Sequence, residues 1–142
     1  MTTLAQALYT TRATAQGGRS GHVASDDGMV SVDVRPPKEL GGPGAAANPE
    51  TLFAAGYAAC FQGALMVVAR RMQADATQSK VTVAVTFGKT PDGGYGLAAK
   101  ISVAIPGVDR AKVQELVQAA HGVCPYSKAT RGNIDVTLEA VE

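Results

Sequence analysis

The longest apolar stretch of the chain covers residues 52–69, LFAAGYAACFQGALMVVA, and it is apolar on every side instead of along one stripe. Asn48, Pro49 and Glu50 precede it. These residues predict a helix start, because Asn is a good cap, Pro suits the first helical position and Glu complements the positive end of the helix dipole. We therefore predict a long helix over residues 49–71. A helix that is apolar all round is typical of the centre of a core.

Shorter segments on both sides of this run alternate between apolar and polar positions, as half-buried strands do. In MVSVDVR, for example, Val30, Val32 and Val34 share one face of a strand. The glycine-rich loop QGGRSG separates the first two predicted strands, and the turn TPDGG joins the fourth and fifth into a hairpin. The predicted strands are residues 8–15, 21–25, 29–35, 80–89, 97–105 and 133–141.

A second helix is predicted in GVDRAKVQELVQAAH, where the apolar positions follow the helical period and Asp109 is suited to the N-cap. Its apolar stripe consists of Val113, Leu116, Val117 and Ala120. The order of the elements predicts an α+β fold with one-sided, mostly antiparallel sheets, in a single domain over residues 1–142. Because one half-buried sheet covers only one face of the long helix, its other face predicts a homodimer contact.

Charge and the N-terminal sequence narrow the possible partners. The 142 residues include 13 Lys and Arg and 12 Asp and Glu, for a formal charge of +1, with no run of like charge. Nucleic acid and anionic lipid are therefore not expected as partners. The N-terminus lacks a basic segment followed by an apolar one, which predicts a cytoplasmic protein. Residues 52–69 approach the length of a membrane span, but Gln62 interrupts them, so we expect a core helix and no membrane.

The candidate chemistry lies in two cysteines, Cys60 inside the long apolar run and Cys124 in AHGVCPYSKATRGNI. A structural disulfide is not expected in a reducing compartment, and no CxxC spacing connects the two. Cys60 by itself is typical of core packing. Because Pro125 suits the first position of a short helix, Cys124 either caps that helix, gaining thiolate character there, or simply fills the helix start.

Histidine adds two further interpretations. His121 and Cys124 are spaced as two metal ligands, but a zinc site needs two more. The remaining candidates, Cys60 and His22, show no recognisable ligand spacing, so no metal is predicted. A pair of His121 with a cysteine for acyl transfer stays open, although a histidine at this position is more often found capping a helix C-terminus.

A reactive Cys60 requires a lowered thiol pKa. Cys60 lies about 15 Å along a continuous helix from Glu50, whereas the effect of the helix dipole fades after the first turn. A nearby cation must then stabilise the thiolate. The candidates on loops are Arg19, at the tip of QGGRSG, and Arg131, while Arg12 is a weaker candidate on a strand.

The helical neighbours of Cys60 are unusually small. Gly56, Gly63 and Ala64 lie three or four residues away from it and share its side of the helix. These small side chains indicate that another group approaches the Cys60 side of the helix closely. The sequence leaves open whether this is another helix or a narrow apolar channel that leads to the sulfur.

Four motifs taken together resemble a known family. They are YTTRATAQGGRSGHVASDDG, PPKELGGPG, NPETLFAAGYAACF and AHGVCPYSKATRGNIDV, and they span nearly the whole chain. In type and order they resemble the organic hydroperoxide resistance proteins of the OsmC-like group. The resemblance implies an OsmC-like fold, with antiparallel sheets around long central helices, in an intertwined homodimer with two active sites at the subunit interface.

The resemblance also implies an activity, the reduction of alkyl and fatty-acid hydroperoxides to alcohols. Cys60 would be the peroxidatic thiolate that becomes a sulfenic acid, and Cys124 the resolving thiol that forms a disulfide with it. Arg19 would hold the thiolate and polarise the peroxide, with Glu50 orienting its guanidinium. No bound cofactor is implied, since a lipoyl-type dithiol, carried by a lipoylated protein, would reduce the disulfide again.

Two structural expectations follow from combining the resemblance with the helix geometry. If Glu50 and Cys60 serve one site, the helix should break or kink between Gly56 and Cys60, or Glu50 should reach the neighbouring subunit's site. An apolar channel to Cys60 would favour organic substrates, because an alkyl tail gains about 0.8 kcal/mol per buried methylene. The candidates to line it are Leu40, Pro43, Phe53, Phe61 and Met66.

Two other functions remain compatible with the residues. The first is a hydroperoxide sensor or thiol-based binding protein, in which oxidation of Cys60 signals to a partner without turnover. The second is a structural dimer with inert cysteines. Steady-state peroxide consumption separates the peroxidase from the sensor, and thiol titration of Cys60 separates both from the inert dimer.

Overall fold

The computed structural model describes all 142 residues, and these form two compact units, Met1–Pro49 and Glu50–Glu142. The first unit contains a three-stranded antiparallel sheet in the order β1-β2-β3. The strands are β1 (Ala13–Gln16), β2 (His22–Ser25) and β3 (Ser31–Asp33). The three predicted N-terminal strands are thus confirmed. The first is shorter than its pattern because pairing ends at Ala13 and Ser25, after which the chain leaves β2 in a turn.

The loop between β1 and β2 is as tight as its glycines predicted. Gly18–Ser20 forms one turn of 3-10 helix, with Gly17 at a φ of 85°, in the left-handed region that favours glycine. A Cβ on Gly21 would lie only 1.8 Å from the carbonyl oxygen of Gln16, so no larger residue fits there. Arg19 is an exposed residue of this turn.

The long helix α1 runs over Pro49–Arg71, as predicted from the sequence. It is continuous, with residues 56–60 helical throughout, so the predicted break between Gly56 and Cys60 is wrong. The physical reason is that Tyr57 and Phe61 are both completely buried and hold this part of the helix in the core. The alternative expectation, that Glu50 serves the neighbouring subunit's site, stays a prediction.

The second unit is built on a three-stranded sheet in the order β4-β5-β6. The strands are β4 (Lys80–Lys89), β5 (Tyr95–Ala104) and β6 (Val136–Ala140), which confirms the predicted hairpin and final strand. The β4–β5 pair is antiparallel, but β6 runs parallel to β5, with Ile101 opposite Leu138. The mixed pairing arises because a helical crossover returns the chain to the same end of the sheet.

That crossover consists of two helices, α2 (Arg110–Val123) and α3 (Pro125–Thr130). The Asp109 side chain caps α2 by accepting a hydrogen bond of 3.0 Å from the backbone N–H of Lys112, as predicted. The predicted apolar stripe is buried. Cys124 lies between the two helices, where it ends α2 and begins α3.

One face of α1 belongs to the core of the second unit, which also contains the apolar stripe of α2 and the inner face of β5. Its opposite face exposes Met66 and Val67, which are 38% and 41% exposed. By length and composition α1 could also cross a membrane, with a mean hydropathy of 1.7. The complete burial of Tyr57, Phe61 and Leu65 is typical of a core helix.

Candidate active site

The two cysteines, which are 64 positions apart in the sequence, meet in the second unit. The Cys124 thiol donates a hydrogen bond to the sulfur of Cys60, with the two Sγ atoms 3.6 Å apart. Both are free thiols, since a disulfide requires about 2.05 Å between the sulfur atoms. Cys124 is completely buried, whereas Cys60 is half-buried. The pair therefore presents one reachable and one shielded sulfur.

Local backbone geometry places Cys124 in this position. Its N–H closes the last turn of α2 on the carbonyl oxygen of Ala120, at 2.9 Å, and its extended ψ of 124° turns the chain into α3. Pro125 then occupies the first position of α3, as the sequence predicted. The predicted N-cap position of Cys124 is confirmed. Its side chain makes no capping hydrogen bond, because the thiol points to Cys60 instead.

Helix α3 is fastened to α1 beside the two thiols. The hydroxyl of Tyr57 lies 2.9 Å from Ser127 Oγ and 3.0 Å from Thr130 Oγ1, and all three side chains are buried. Gly56 allows the ring of Tyr126 to approach, since a Cβ there would lie 3.0 Å from the Tyr126 hydroxyl oxygen. The small residue at Gly56 therefore serves helix packing.

The protonation of Cys60 reflects these surroundings. Burial raises the pKa of the Cys60 thiol, and the hydrogen bond with Cys124 raises it further. A hydrogen bond with the backbone of Tyr126 lowers the pKa and partly opposes the burial. The balance favours the neutral thiol, so a reactive thiolate needs additional stabilisation by a positive charge.

The three candidate cations lie in different surroundings. Arg12 forms an ion pair with Asp26, through Nη2 at 2.7 Å and through Nε at 2.8 Å. Arg131 donates a hydrogen bond of 2.8 Å to the carbonyl oxygen of His121 at the end of α2. Arg19 lies in the turn between β1 and β2, and Glu50 in the first turn of α1, where it is half-buried. The roles predicted for Arg19 and Glu50 stay predictions.

Comparison with known proteins places this chain in a family. Residues 42–139 match the family model described as OsmC-like protein. The chain is 50% identical over 133 residues to the organic hydroperoxide resistance protein of Xanthomonas axonopodis pv. citri, covering 92% of this chain and 93% of that one. The chain belongs to the OsmC-like family.

Solved structures of the family have the same fold. An organic hydroperoxide resistance protein from Legionella pneumophila superposes with a TM-score of 0.90 at 46% identity, covering 96% of this chain and all of that one. That of Bacillus subtilis gives a TM-score of 0.87 at 48% identity, over 95% of this chain and 100% of that one. The predicted α+β OsmC-like fold and the predicted resemblance to organic hydroperoxide resistance proteins are both confirmed.

In this OsmC-like chain, the hydrogen bonds of the two histidines do not involve either cysteine. Burial and the charge of Arg131 lower the pKa of His121, whose buried Nδ1 has no hydrogen-bond partner. In the first unit, the two ring nitrogens of His22 bond to Asp33 and Ser31, at 2.8 and 3.0 Å. Both bonds lie on the open face of the sheet, and they leave no ring nitrogen of His22 for a metal ion.

The five predicted channel residues are found in different surroundings. Phe53 is half-buried, and its ring centroid lies 5.9 Å from that of Tyr57 and 6.4 Å from that of Tyr126, close to the thiols. Phe61 is completely buried and belongs to the core. Met66 lines a separate surface pocket of about 400 Å³ at the C-terminal end of α1. Leu40 and Pro43 are exposed residues of the first unit.

Sequence reasoning missed the residues that join α1 to α3 beside the two thiols. In the sequence Tyr57 is only a neighbour of Cys60, and Tyr126, Ser127 and Thr130 are only part of a motif. The available signal was the hydroxyl-rich segment YSKAT directly after Cys124 and Pro125. Without knowledge of which helix it would face, that segment could not be linked to Tyr57.

Proposed function

We propose that the chain is a thiol peroxidase that reduces organic hydroperoxides to alcohols. The observation that carries the proposal is the contact between a reachable Cys60 and a shielded Cys124, with 3.6 Å between the sulfur atoms. The name of its relatives, organic hydroperoxide resistance protein, supports the substrate class. An alkyl or fatty-acid hydroperoxide is therefore the expected oxidant.

The reaction takes place in three steps. The Cys60 thiolate attacks the peroxide oxygen that is distal to the alkyl group, the O–O bond breaks, and a proton completes the alcohol, leaving Cys60 as a sulfenic acid. The Cys124 thiol then attacks that sulfur, a disulfide forms, and water leaves. Finally a lipoyl-type dithiol reduces the disulfide and itself becomes a cyclic disulfide.

The difference in exposure supports the roles proposed for the two sulfur atoms. A hydroperoxide can reach only a sulfur that is open to solvent, which fits Cys60 and not the completely buried Cys124. The same argument applies to the reductant. The incoming dithiol should attack Cys60, with the sulfur of Cys124 as the leaving group.

Activation of Cys60 is assigned to Arg19, with Glu50 orienting the guanidinium. The need for a cation follows from the raised pKa of the buried thiol. We prefer Arg19 to Arg12 and Arg131 because the resemblance to the organic hydroperoxide resistance proteins implies this role for it. Because α1 is continuous, Glu50 and Cys60 of one chain are about 15 Å apart along its axis. We therefore place Glu50 at the partner subunit's site in a homodimer.

The test is hydroperoxide consumption with dihydrolipoamide as the reductant. We expect steady turnover by the unmodified protein, none by Cys60→Ser, and no repeated turnover through the disulfide in Cys124→Ser. Mass mapping after one equivalent of hydroperoxide should find a Cys60–Cys124 disulfide.

Three results would contradict this proposal. One is the absence of that disulfide under every oxidising condition. Another is a single oxidation event without turnover, which would favour the sensor. A third is a rate for hydrogen peroxide equal to that for a bulky alkyl hydroperoxide, which would remove the apolar preference. A reducing cytoplasm is the compartment in which a dithiol can keep both cysteines reduced.

A further inference from the structure

We propose that the buried hydroxyls of Tyr57, Ser127 and Thr130 form a clamp that holds Cys124 within reach of Cys60. The inference rests on the proposed function for its role in turnover. It assigns Tyr57 and Thr130 as positioning residues, because neither is seen to contact a sulfur atom. The clamp joins α1, which carries the reachable thiol, to α3, which begins at the shielded one.

The hydrogen bonds of the clamp can be assigned completely. The Thr130 hydroxyl lies 3.2 Å from the carbonyl oxygen of Ser127, to which it donates. Tyr57 then donates to Thr130 Oγ1, and Ser127 donates back to the Tyr57 oxygen, at 3.0 and 2.9 Å. Every hydroxyl of the clamp therefore donates one hydrogen bond. Such satisfied buried networks are costly to disturb, since a lost partner leaves a polar group unpaired.

Helix α3 needs this support because it is short. Its six residues are far fewer than an isolated helix requires for stability in water. Apart from the hydroxyls, it is held by the Tyr126 ring, which lies over Gly56 and packs 5.7 Å from the Tyr57 ring. The contacts to α1 therefore act together with the local backbone geometry at Cys124 to fix where α3 lies, and with it the position of the Cys124 thiol.

The position of Cys124 matters for the second step of the reaction. To form the disulfide, the two sulfur atoms must approach by about 1.5 Å from their present separation, which a side-chain rotation and a small shift can supply. A looser α3 would give Cys124 many positions from which it cannot react. Misplacement by about 1 Å can cost up to about a hundredfold in rate. The clamp should thus speed disulfide formation strongly and the attack on peroxide only weakly, since α3 acts on Cys60 through a single backbone hydrogen bond, that of Tyr126.

The first test separates the two chemical steps in Tyr57→Phe, which removes the hydroxyl and keeps the ring. One equivalent of alkyl hydroperoxide is added to the reduced protein, and a carbon-acid probe traps the sulfenic acid at Cys60. We expect disulfide formation to slow about tenfold, within the range for such a displacement, and the loss of peroxide to slow much less. Tyr95→Phe, at an exposed tyrosine on β5, is the matched control and should behave as the unmodified protein.

The second test does not depend on peroxide chemistry. The Cys60–Cys124 pair is equilibrated with mixtures of reduced and oxidised dithiothreitol, and the fraction of disulfide is measured. Loosening α3 adds conformations to the dithiol form only, so Tyr57→Phe should lower the equilibrium constant for the disulfide about tenfold, or about 30 mV for this two-electron couple. If the peroxidase assay fails but Tyr57→Phe still lowers this equilibrium constant about tenfold, the proposed function is disproved and the clamp is supported.

A third test uses two variants of Thr130 to distinguish loss of the clamp from loss of the folded state. Thr130→Val removes the hydroxyl with little change of shape, and Thr130→Ser keeps it. We expect Thr130→Val to slow disulfide formation and Thr130→Ser to retain most of the rate. Thermal melting should show that both proteins are folded. The clamp is disproved if Thr130→Val and Tyr57→Phe melt at lower temperature but form the disulfide at the unmodified rate.

Discussion

Cys60 and Cys124 have the same chemistry in solution, and their surroundings give them different roles. Cys124 is closed in by α2, α3 and α1, whereas part of Cys60 remains open to solvent. The raised pKa of Cys60 shows that exposure alone does not make a nucleophile. At this scale the central question is which charge supports the thiolate, and the proposed Arg19 can be tested directly.

The rate at which iodoacetamide alkylates Cys60 reports the thiolate fraction as a function of pH. If Arg19 stabilises the thiolate, Arg19→Ala should raise the apparent pKa of Cys60. The rate at pH 7 should then fall about tenfold for each pH unit by which that pKa rises. The matched control is Arg12→Ala, since Arg12 is paired with Asp26. Equal rates in the unmodified protein and Arg19→Ala would exclude the role of Arg19.

The same change in the pKa of Cys60 should alter how the free energy of unfolding depends on pH. Burial raises the folded-state pKa of Cys60 above its ordinary value of 9.0, and removal of Arg19 should raise it further. A raised folded-state pKa contributes stability that is complete below the unfolded-state pKa and is lost as the pH rises through the folded-state pKa. The free energy of unfolding of Arg19→Ala should therefore decline above about pH 9 more steeply than that of the double variant with Cys60→Ala.

At the scale of elements, the contact between α1 and α3 depends on a glycine. Gly56 has no side chain, so the Tyr126 ring lies directly against α1, and an added Cβ would be 3.3 Å from the ring atom Cε2 as well as 3.0 Å from the hydroxyl oxygen. The helix thus accepts a residue of poor helix propensity in exchange for close packing.

Gly56→Ala should destabilise the protein although alanine favours helices. The gain in propensity is about 1 kcal/mol, and overpacking costs about 1–3 kcal/mol. Gly122→Ala is the control on α2, because nothing lies within 4 Å of the Cβ it would add, and it should be neutral or slightly stabilising. Thermal and urea unfolding measure both. A gain in stability for Gly56→Ala would show that Tyr126 moves aside at little cost.

At the scale of the whole molecule, α1 leaves an apolar face uncovered. Met66 and Val67 are exposed next to the small residues Gly63 and Ala59. An isolated exposed apolar residue is ordinary, but a row of them on a central core helix is typical of a surface that another chain covers. The homodimer proposed above would bury this face.

Light scattering and sedimentation velocity should find a dimer at micromolar concentration. Val67→Asp places a charge in the proposed interface and should shift the protein toward monomer, because an unpaired charge is costly to bury. Gln118→Asp puts the same charge on the exposed face of α2 and should leave the dimer intact. A monomeric unmodified protein would contradict the prediction, as would a Val67→Asp variant that remains fully dimeric.

Local patterns predicted most of the elements because their causes are local. The bounds of α1, the Asp109 cap and the buried stripe of α2 depend on residues a few positions apart, and all were predicted correctly. The motif resemblance likewise led to the family that the comparisons confirm. The expected break in α1 failed because it rested on a functional argument, whereas buried Tyr57 and Phe61 keep the helix intact.

The sequence by itself determined the helices, most strands, the family and the identity of the two cysteines. Tertiary structure alone decided that β6 runs parallel to β5, that Phe61 lies in the core, and that Cys60 and Cys124 meet at 3.6 Å. The same holds for the Tyr57–Ser127 hydrogen bond, which joins residues 70 positions apart. Contacts of this kind depend on how whole elements pack, and periodicity along the chain carries no information about which faces will meet.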